Sequence, residues 1–357
     1  MWENDFTRLL KIKYPIIQAP MAGGITSSEL VAAVSNTGGL GMIGAGYMSP
    51  EQVRLQIKEV QQLTDKPFGV NIFVPAKYEA DKKKLHHAKT LLQPILEELG
   101  AVDQSVLPNF EQDLQSFHEQ LNIILDENVP ICSFTFGIPP LELINKLKEN
   151  GVVLIGTATT VSEAIINEKA GMDAVVVQGT EAGGHRGTFH NENKHSLIGL
   201  MSLLPQVADQ ISIPIIAAGG IMDGRGFIAA KSLGALGVQM GSAFLVCEES
   251  SANKIHKEAI IQASEEQIVV TKAFSGKMAR GVNNRFIEKL SIYEDGLPDY
   301  PIQNELTKAI RKNSAATGNP EYMSLWAGQS PRLARKLCAS DLINQIVNEA
   351  EIVRSKL

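Results

Sequence analysis

The residue types best suited to chemistry lie together in one loop, residues 178–187. His185 and Arg186 stand there among four glycines, Gly179, Gly183, Gly184 and Gly187. Imidazole can exchange a proton near neutral pH, whereas guanidinium is a permanent cation. Glycine lets a flat ligand approach the main chain closely. The loop alone fits two interpretations equally well: a site that binds and acts on a small ligand, or a glycine-rich turn that carries a surface histidine.

A buried strand precedes this loop and would place it at the end of a sheet. Residues 174–177 are Ala-Val-Val-Val, a run of small and β-branched side chains typical of a parallel strand covered on both faces. The polar Gln178 ends the run. In α/β barrels the active site is built from the loops that follow the strands. The position of His185 therefore favours the functional interpretation.

The rest of the chain alternates short apolar segments with helix-length segments. Strands are predicted at residues 14–21, 40–45, 68–74, 131–136, 153–157, 174–178, 214–220 and 237–244. Helical spacing of apolar residues fills most of the intervals, for example 50–63, which begins with Pro in its first turn. This alternation predicts an α/β fold, a (β/α)8 TIM barrel.

Two parts of the chain do not follow the alternation. Residues 76–128 are too long for an ordinary connection and show helical spacing in two stretches. We therefore expect a helical insertion in a barrel that spans residues 1–247. Residues 248–357 are expected to supply the last barrel helix and a C-terminal helical region that covers the barrel mouth.

Glycines at the ends of the seventh and eighth strands predict a phosphate site. Barrels often hold a phosphate on the loops after these two strands. The backbone amides of Gly219, Gly220, Gly241 and Ser242 would converge on one anion, helped by a helix N-terminus. Tight packing of small residues at the barrel rim is the alternative explanation of the same glycines.

A flat ring attached to that phosphate would lie over the barrel mouth. It would reach Met21, Asn71 and Gln178, which offer apolar cover and amide groups suited to an isoalloxazine ring. Asn71 is the only polar side chain in its strand and needs a buried partner. A hydrogen bond to the backbone and a contact with a ligand explain it equally well.

Composition and charge exclude several classes of protein. The 357 residues are 44% hydrophobic and carry a net charge of −6, so no basic field attracts nucleic acid or an anionic membrane surface. The first residues lack the apolar core of a signal peptide. No apolar run approaches the ~18 residues that cross a bilayer. Three isolated cysteines argue against a disulfide framework. We expect a cytoplasmic protein.

Two local patterns suggest functions that their context does not support. The segment Gly39-Leu-Gly41-Met-Ile-Gly44 has dinucleotide-binding spacing, but it closes a helix and enters a strand, the reverse of the required order. His190 and His195 follow His185 at five-residue spacing, without an acidic or thiolate ligand of fixed geometry. No metal site is predicted.

Several segments together resemble the FMN-dependent nitronate monooxygenases, once called 2-nitropropane dioxygenases. They read QAPMAGG, SNTGGLG, DAVVVQGTEAGGHRG, PIIAAGGIMDGRG, GVQMGSAFL and AFSGKMARGVNN. The resemblance spans the whole chain and includes a Trp-Ala-Gly segment at 326–328. Single motifs are shared with the FMN-type enoyl-acyl-carrier-protein reductases, which tend to lack the Ala-Arg-Gly and Trp-Ala-Gly segments.

The resemblance implies a cofactor site and a reaction. An alkyl nitronate of the propionate 3-nitronate type would give an electron to FMN, and dioxygen would then yield a carbonyl product and nitrite. His185 would donate a hydrogen bond to the nitro group or accept a proton from a nitroalkane. Arg186 would add positive potential, or it would be a loop residue that faces solvent or the phosphate. The residues that would hold FMN are Asn71, Gln178, Gly183, Gly219, Gly220, Gln239, Met240, Gly241 and Ser242, with Met21 nearby.

Two alternatives to nitronate oxidation stay open. An FMN- and NADH-dependent enoyl-acyl-carrier-protein reductase would need room for a phosphopantetheine arm. A regulatory barrel that binds flavin or phosphate without turnover would leave His185 without an evident purpose. The expected partners are a small nitronate and dioxygen, not nucleic acid or membrane, and the sequence is compatible with a homodimer.

Overall fold

The computed structural model describes residues 1–190 and 196–357. Its strands are β1 (Ile16–Gln18), β2 (Gly41–Gly44), β3 (Phe68–Phe73), β4 (Ile131–Thr135), β5 (Val153–Ala158), β6 (Ala174–Gln178), β7 (Gly184–His185), β8 (Ile215–Ala218), β9 (Gly237–Met240), β10 (Ile268–Thr271) and β11 (Ala279–Val282). Eight of these pair in parallel in the order β1-β9-β8-β6-β5-β4-β3-β2. A bridge between Ile17 and Leu40 joins the two ends. The predicted (β/α)8 TIM barrel is confirmed.

Helices surround the barrel and extend beyond it. They are α1 (Asp5–Leu10), α2 (Ser28–Thr37), α3 (Pro50–Leu63), α4 (Lys82–Glu98), α5 (Phe110–Asp126), α6 (Leu141–Glu149), α7 (Val161–Ala170), α8 (Leu200–Ala208), α9 (Gly224–Ser232), α10 (Ser242–Leu245), α11 (Lys254–Gln262), α12 (Arg285–Leu290), α13 (Ile302–Leu306), α14 (Lys308–Thr317) and α15 (Ala339–Arg354). Local chemistry sets their ends. At α3, Ser49 and Gln52 form a reciprocal capping box before Pro50.

The barrel interior is apolar at its N-terminal end. Alternating strand residues such as Ile17, Ile155 and Ile216 form one buried cluster with Phe6 and Leu10 of α1. A Cβ on Gly237 would lie 2.5 Å from the Phe6 ring, so glycine is needed for this close approach. The helix α1 therefore closes the N-terminal end of the barrel and leaves the opposite end for the site.

The eighth strand is shorter than predicted, and the chain leaves the barrel directly after it. Strand β9 ends at Met240 because the backbone turns at Gly241 into the short helix α10. The helix that packs between α9 and α2, where an eighth barrel helix belongs, is α15 near the C-terminus. Residues between α10 and α15 thus form an excursion within the last strand–helix unit.

The two helices of segment 76–128 lie in different surroundings. Helix α5 packs against α3 and β3, as a barrel helix does. Helix α4 packs against α13 and α14 of the C-terminal excursion, where Ala88 and Leu92 share a core with Ile302 and Ile310. The segment therefore connects the barrel to the region over its mouth.

A small antiparallel sheet lies outside the barrel and is not predicted from the sequence. Its order is β10-β11-β7. Strand β7 consists of two residues of the histidine loop, and His185 pairs with Ala279 and Gly184 with Arg280. The histidine loop is thereby fixed to the C-terminal excursion.

Candidate functional site

A cavity of about 490 Å³ lies at the C-terminal ends of the barrel strands. The sequence-predicted residues that line it are Met21, Asn71, Gln178, Gly183, His185, Gly219, Gly220, Gln239, Gly241 and Ser242. Met240 does not line the cavity: its side chain is buried in the core between the barrel and the outer helices. These residues come from five barrel strands or the loops after them, and they meet around one space.

One end of this cavity is built from backbone amides. The amides of Gly219, Gly220, Gly241 and Ser242 donate no hydrogen bond to another described residue. Gly219 and Gly220 have φ values of +123° and +69°, a region in which glycine is favoured. Unpaired amides that converge at strand ends are an anion-binding arrangement.

Two neighbouring groups refine this anion site. The predicted help from the N-terminus of α9 is limited, because the Asp223 carboxylate already accepts the amides of Arg225 and Gly226. The hydroxyl oxygen of Ser242 accepts a hydrogen bond of 2.8 Å from the amide of Gly328. Its hydrogen stays available to donate to an anion.

The amide side chains along the middle of the cavity differ in how many of their hydrogen-bond donors and acceptors have partners within the protein. Asn71 donates to the hydroxyls of Ser133 (2.8 Å) and Thr135 (3.1 Å), so its partners are side chains of β4 and not backbone. Its carbonyl oxygen takes part only in a long, 3.5 Å contact with Thr135. Gln239 makes no side-chain hydrogen bond within the described part of the chain. Both amides can still contact a ligand.

Gln178 holds the histidine loop in place. Its Nε2 donates to the carbonyl oxygen of His185 (3.1 Å), and its Oε1 accepts from the amide of Gly187 (2.9 Å). A side chain at the end of β6 thus fixes the main chain on both sides of Arg186. The result is a rigid loop that presents the imidazole to the cavity.

The His185 side chain is oriented by Ser275, which precedes β11. The His185 Nε2 and Ser275 Oγ atoms lie 2.8 Å apart, and the same hydroxyl lies 3.1 Å from the Lys277 carbonyl oxygen. The single hydroxyl hydrogen can serve one of these acceptors, so Ser275 selects the imidazole tautomer. The Nδ1 atom has no partner among residues 1–190 and 196–357 and is left for a substrate.

Aromatic rings enclose the imidazole. The centroids of Phe136, Tyr300 and Trp326 lie 6.0, 6.0 and 5.4 Å from that of His185. Phe136 has a φ of +71°, a strained conformation for an aromatic residue and typical of functional sites. Burial, together with the charges of Lys277 and Arg311, lowers the pKa of His185 to about 3. The ring is therefore neutral at physiological pH.

Arg186 does not face the cavity. Its side chain is 1% exposed, and its terminal nitrogens donate to the carbonyl oxygens of Gly179 (2.6 Å) and Gln178 (3.0 Å). The guanidinium satisfies backbone carbonyls at the end of β6. The buried side chain therefore faces neither solvent nor the cavity, which differs from the positions predicted for Arg186.

A second cavity of about 650 Å³ adjoins the first and shares several wall residues with it. The shared residues are Tyr47, Phe73, Phe136 and Asn304. Tyr300 lies on the wall of the second cavity, and Arg311 of α14 lies on the wall of the first. Sequence reasoning did not single out Tyr47, and it missed Tyr300 and Arg311 because these two residues stand in segments that have no glycine-rich motif.

Metal ligation finds no support in the described residues, which contain no group of three or more His, Cys, Asp or Glu side chains placed to hold an ion. His190 is exposed, and His195 lies outside the described residues. No helix in the described part of the chain is long and apolar enough to cross a membrane.

The chain resembles known proteins over its whole length, in sequence and in fold. Residues 4–349 match the family model described as nitronate monooxygenase. The chain is 50% identical to a probable nitronate monooxygenase of Staphylococcus haemolyticus and 52% identical to one of Staphylococcus aureus, over 98% of each chain. It is similar to a nitroalkane oxidase from Streptomyces ansochromogenes (TM-score 0.92, 37% identity, 99% of both chains) and to FabK from Thermotoga maritima (TM-score 0.79, 33% identity, 100% and 98%).

Proposed function

The chain belongs to the nitronate monooxygenase family of oxidoreductases, and from this premise we propose that it oxidises an alkyl nitronate of the propionate 3-nitronate type with dioxygen, using FMN. The observation that carries the proposal is the neutral His185 ring. It is held by Ser275 and three aromatic residues and lines the cavity whose other end is built from free backbone amides.

The residues around the cavity fit FMN. The amides of Gly219, Gly220, Gly241 and Ser242 would hold the phosphate, and Gln239 and Asn71 would contact the ring. An added Cβ on Gly219 would lie 3.0 Å from the amide nitrogen of Ala182, so a side chain there would narrow this end of the cavity. FMN, when bound, would accept an electron from the nitronate.

His185 acts as a hydrogen-bond donor in this proposal. A pKa of about 3 makes the ring a poor base near neutral pH. In the tautomer proposed here, Ser275 donates its hydrogen to Nε2 and not to the Lys277 carbonyl oxygen, so Nδ1 carries the proton and can donate it to a ligand in the cavity. That N–H group can donate a hydrogen bond to one oxygen of the nitronate group, while the aromatic residues exclude water from around the imidazole. Substrate enters already deprotonated, so no base is required.

The overall reaction balances without a reduced nicotinamide. Two nitronate anions and one dioxygen molecule supply the atoms and charge of two carbonyl products and two nitrite ions. In each nitronate the carbon–nitrogen bond breaks, the carbon is oxidised, and dioxygen is reduced into the product oxygen. The nearby cations Lys277 and Arg311 give this end of the cavity a positive potential, which favours binding of the anionic substrate.

Anaerobic mixing tests the proposal. Purified protein loaded with FMN is mixed with propionate 3-nitronate while the visible flavin spectrum is recorded, with propionate as the control that lacks the nitronate. We expect rapid flavin reduction by the nitronate alone, and carbonyl product with nitrite after air is admitted. An unchanged spectrum would contradict the proposal.

The same anaerobic mixing, with NADH in place of the nitronate, tests the enoyl-reductase alternative, which the likeness to FabK supports. The adjoining cavity of about 650 Å³ provides room for a longer substrate, so space alone does not separate the two functions. Bleaching of the flavin by NADH, together with no response to the nitronate, would establish the alternative.

A further inference from the structure

Arg311 carries an unused pair of hydrogen-bond donors on the wall of the first cavity. Its Nε donates to the Thr307 hydroxyl (3.2 Å), and its Nη2 donates to the carbonyl and side-chain oxygens of Asn304 (2.6 and 3.0 Å). The Nη1 atom donates to no residue in the described part of the chain. The side chain is therefore held in place while the two N–H groups of Nη1 stay free.

No carboxylate of the described residues neutralises this cation. The acidic residue with an electrostatic influence on Arg311 is Glu305, and its side chain pairs with Lys308 at 3.2 Å. Burial lowers the pKa of Arg311, although a guanidinium remains charged at neutral pH. A partly desolvated cation without a counter-ion is costly, so an anion that enters the cavity would be stabilised here.

Two hydroxyl groups extend this donor cluster. Tyr47 lines the first cavity together with Arg311 and the second cavity together with Tyr300, and both phenols act electrostatically on Arg311. Burial raises the pKa of each phenol, so both stay protonated; the Tyr300 hydroxyl donates to the Tyr47 oxygen, and the Tyr47 hydrogen is left to donate to a ligand. The ring of Tyr300 also contacts the His185 ring, at a centroid distance of 6.0 Å. One aromatic side chain thus links the histidine to the Arg311 cluster.

The position of the cluster limits which anion it can serve. The flavin phosphate has its own amides at the end of the cavity formed by β8 and β9. The nitronate group is assigned to His185 in the proposed function. A second anionic group, joined to the nitronate by a short carbon chain, would reach past Tyr300 to the free N–H groups of Arg311.

Resting on the proposed function, we infer that Arg311, with Tyr47 and Tyr300, binds the carboxylate of a substrate that carries both a nitronate and a carboxylate. Arg311 is then the residue that makes the enzyme select such dianions over simple alkyl nitronates. The free N–H groups of Nη1 can donate charge-assisted hydrogen bonds to a carboxylate.

The test compares two nitronates with the same number of carbon atoms in two variants. Arg311→Gln removes the cation, and Lys312→Gln removes the same charge from the exposed neighbouring residue. We expect kcat/KM for propionate 3-nitronate to fall about 10- to 100-fold in Arg311→Gln, mainly through KM. Activity on propyl-1-nitronate should change less than about threefold. Lys312→Gln should resemble the wild type on both.

Calorimetry provides a readout that needs no turnover. We expect 3-nitropropionate to bind the wild type more tightly than 1-nitropropane does, and Arg311→Gln to abolish this difference. Arg311→Lys keeps a cation without the planar guanidinium and should retain part of this difference. It therefore serves as the second variant if Arg311→Gln does not fold. Equal losses for both ligands, or none, would overturn the inference. If the wild type oxidises neither nitronate, the proposed function fails, and calorimetry still decides the role of Arg311.

Discussion

The two ends of the cavity are built by different means. The anion end consists of backbone amides at the termini of β8 and β9, and neighbouring barrel strands place them together. The reaction end consists of side chains far apart in sequence, such as His185 and Ser275, which are separated by 90 positions. The amides of the first end thus all come from the barrel, whereas the second end also requires side chains of the C-terminal excursion.

This difference implies different responses to substitution. An anion site made of amides has no side chain to remove, and it fails when a group is added to its glycines. The reaction end is divided among several side chains, each of which contributes one contact. We therefore expect a change at the anion end to cause complete loss and changes at the reaction end to cause graded losses.

Gly220→Asp should have the largest effect. A carboxylate at this position would face the proposed phosphate, and like charges at close range in a partly desolvated site cost several kcal/mol. Flavin affinity should fall by about a thousandfold or more, so the purified protein should be colourless. Flavin content after gel filtration and circular dichroism of the same sample provide the measurement.

Gly220→Asn is the matched control for that change. Asn has the same shape without the charge and tolerates the φ of +69° about as well as Asp does. Each new Cβ would lie 3.3 Å from the Cβ of Glu181, so both variants meet the same crowding. If Asn and Asp weaken FMN binding equally, the phosphate is not at Gly220.

His185→Asn should have a smaller, graded effect. Asn keeps a donor but cannot act as a base, and loss of an optimal bond to a charged group costs roughly 1.5–3 kcal/mol. We expect kcat/KM of the variant for the nitronate to fall by about one to two decades. In the wild type, the pH profile of kcat/KM should show no inflection near pH 6.5, since the pKa of His185 is lowered to about 3.

Matched nitroalkane and nitronate substrates separate the two roles of His185. If His185 is a general base, kcat/KM of His185→Asn should fall about 10²–10⁴-fold with the neutral nitroalkane and by less with the nitronate. That pattern would contradict the donor role, and unchanged activity on both substrates would remove His185 from the mechanism.

The contrast between the two ends also explains what the sequence could predict. Strand periodicity and glycine placement are local signals, so the barrel and the cavity-lining residues Gly219, Gly220 and Ser242 were predicted and are found together. Met240 stands between two such residues, but its side chain points into the core, because neighbouring residues of a strand face opposite sides. The alternation of side chains along β9 would have predicted that the Met240 side chain does not line the cavity.

The missed residues depend on contacts between distant segments. Ser275, Tyr300 and Arg311 reach the site because the excursion between α10 and α15 folds back over the barrel mouth. The two-residue strand β7 carries no periodicity of its own and exists through pairing with β11. A single sequence contains no local signal for such pairing.

Ser275→Ala should reduce activity modestly. Without the hydroxyl, the Nε2 of His185 loses its hydrogen-bond partner, and a net contribution of about 0.5–1.5 kcal/mol corresponds to roughly a 2- to 12-fold decrease in kcat/KM for the nitronate. Nitrogen-15 NMR of the imidazole should show a shift from one tautomer to a mixture. A decrease in activity with an unchanged tautomer would assign Ser275 a packing role only.

The smallest predicted effect concerns stability against pH. In the folded protein the pKa of His185 is lowered to about 3, whereas in the unfolded chain it is near 6.5. Between these values the unfolded state binds a proton that the folded state does not, so the free energy of unfolding falls as the pH decreases below about 6.5. The contribution of a neutral His185 is fully present above that pH.

The measurement compares flavin-free wild type with flavin-free His185→Asn. When the pH is lowered from 7 to 5.5, the free energy of unfolding of the wild type should fall by about 1 kcal/mol or less more than that of the variant. This difference corresponds to about 1–3 °C in melting temperature. Burial also lowers the pKa of His256, but both proteins contain it, so its effect cancels in the difference. Parallel melting curves across this pH range would mean that His185 takes up a proton in the folded protein, and the neutral donor would have to be replaced by an imidazolium at the reaction end.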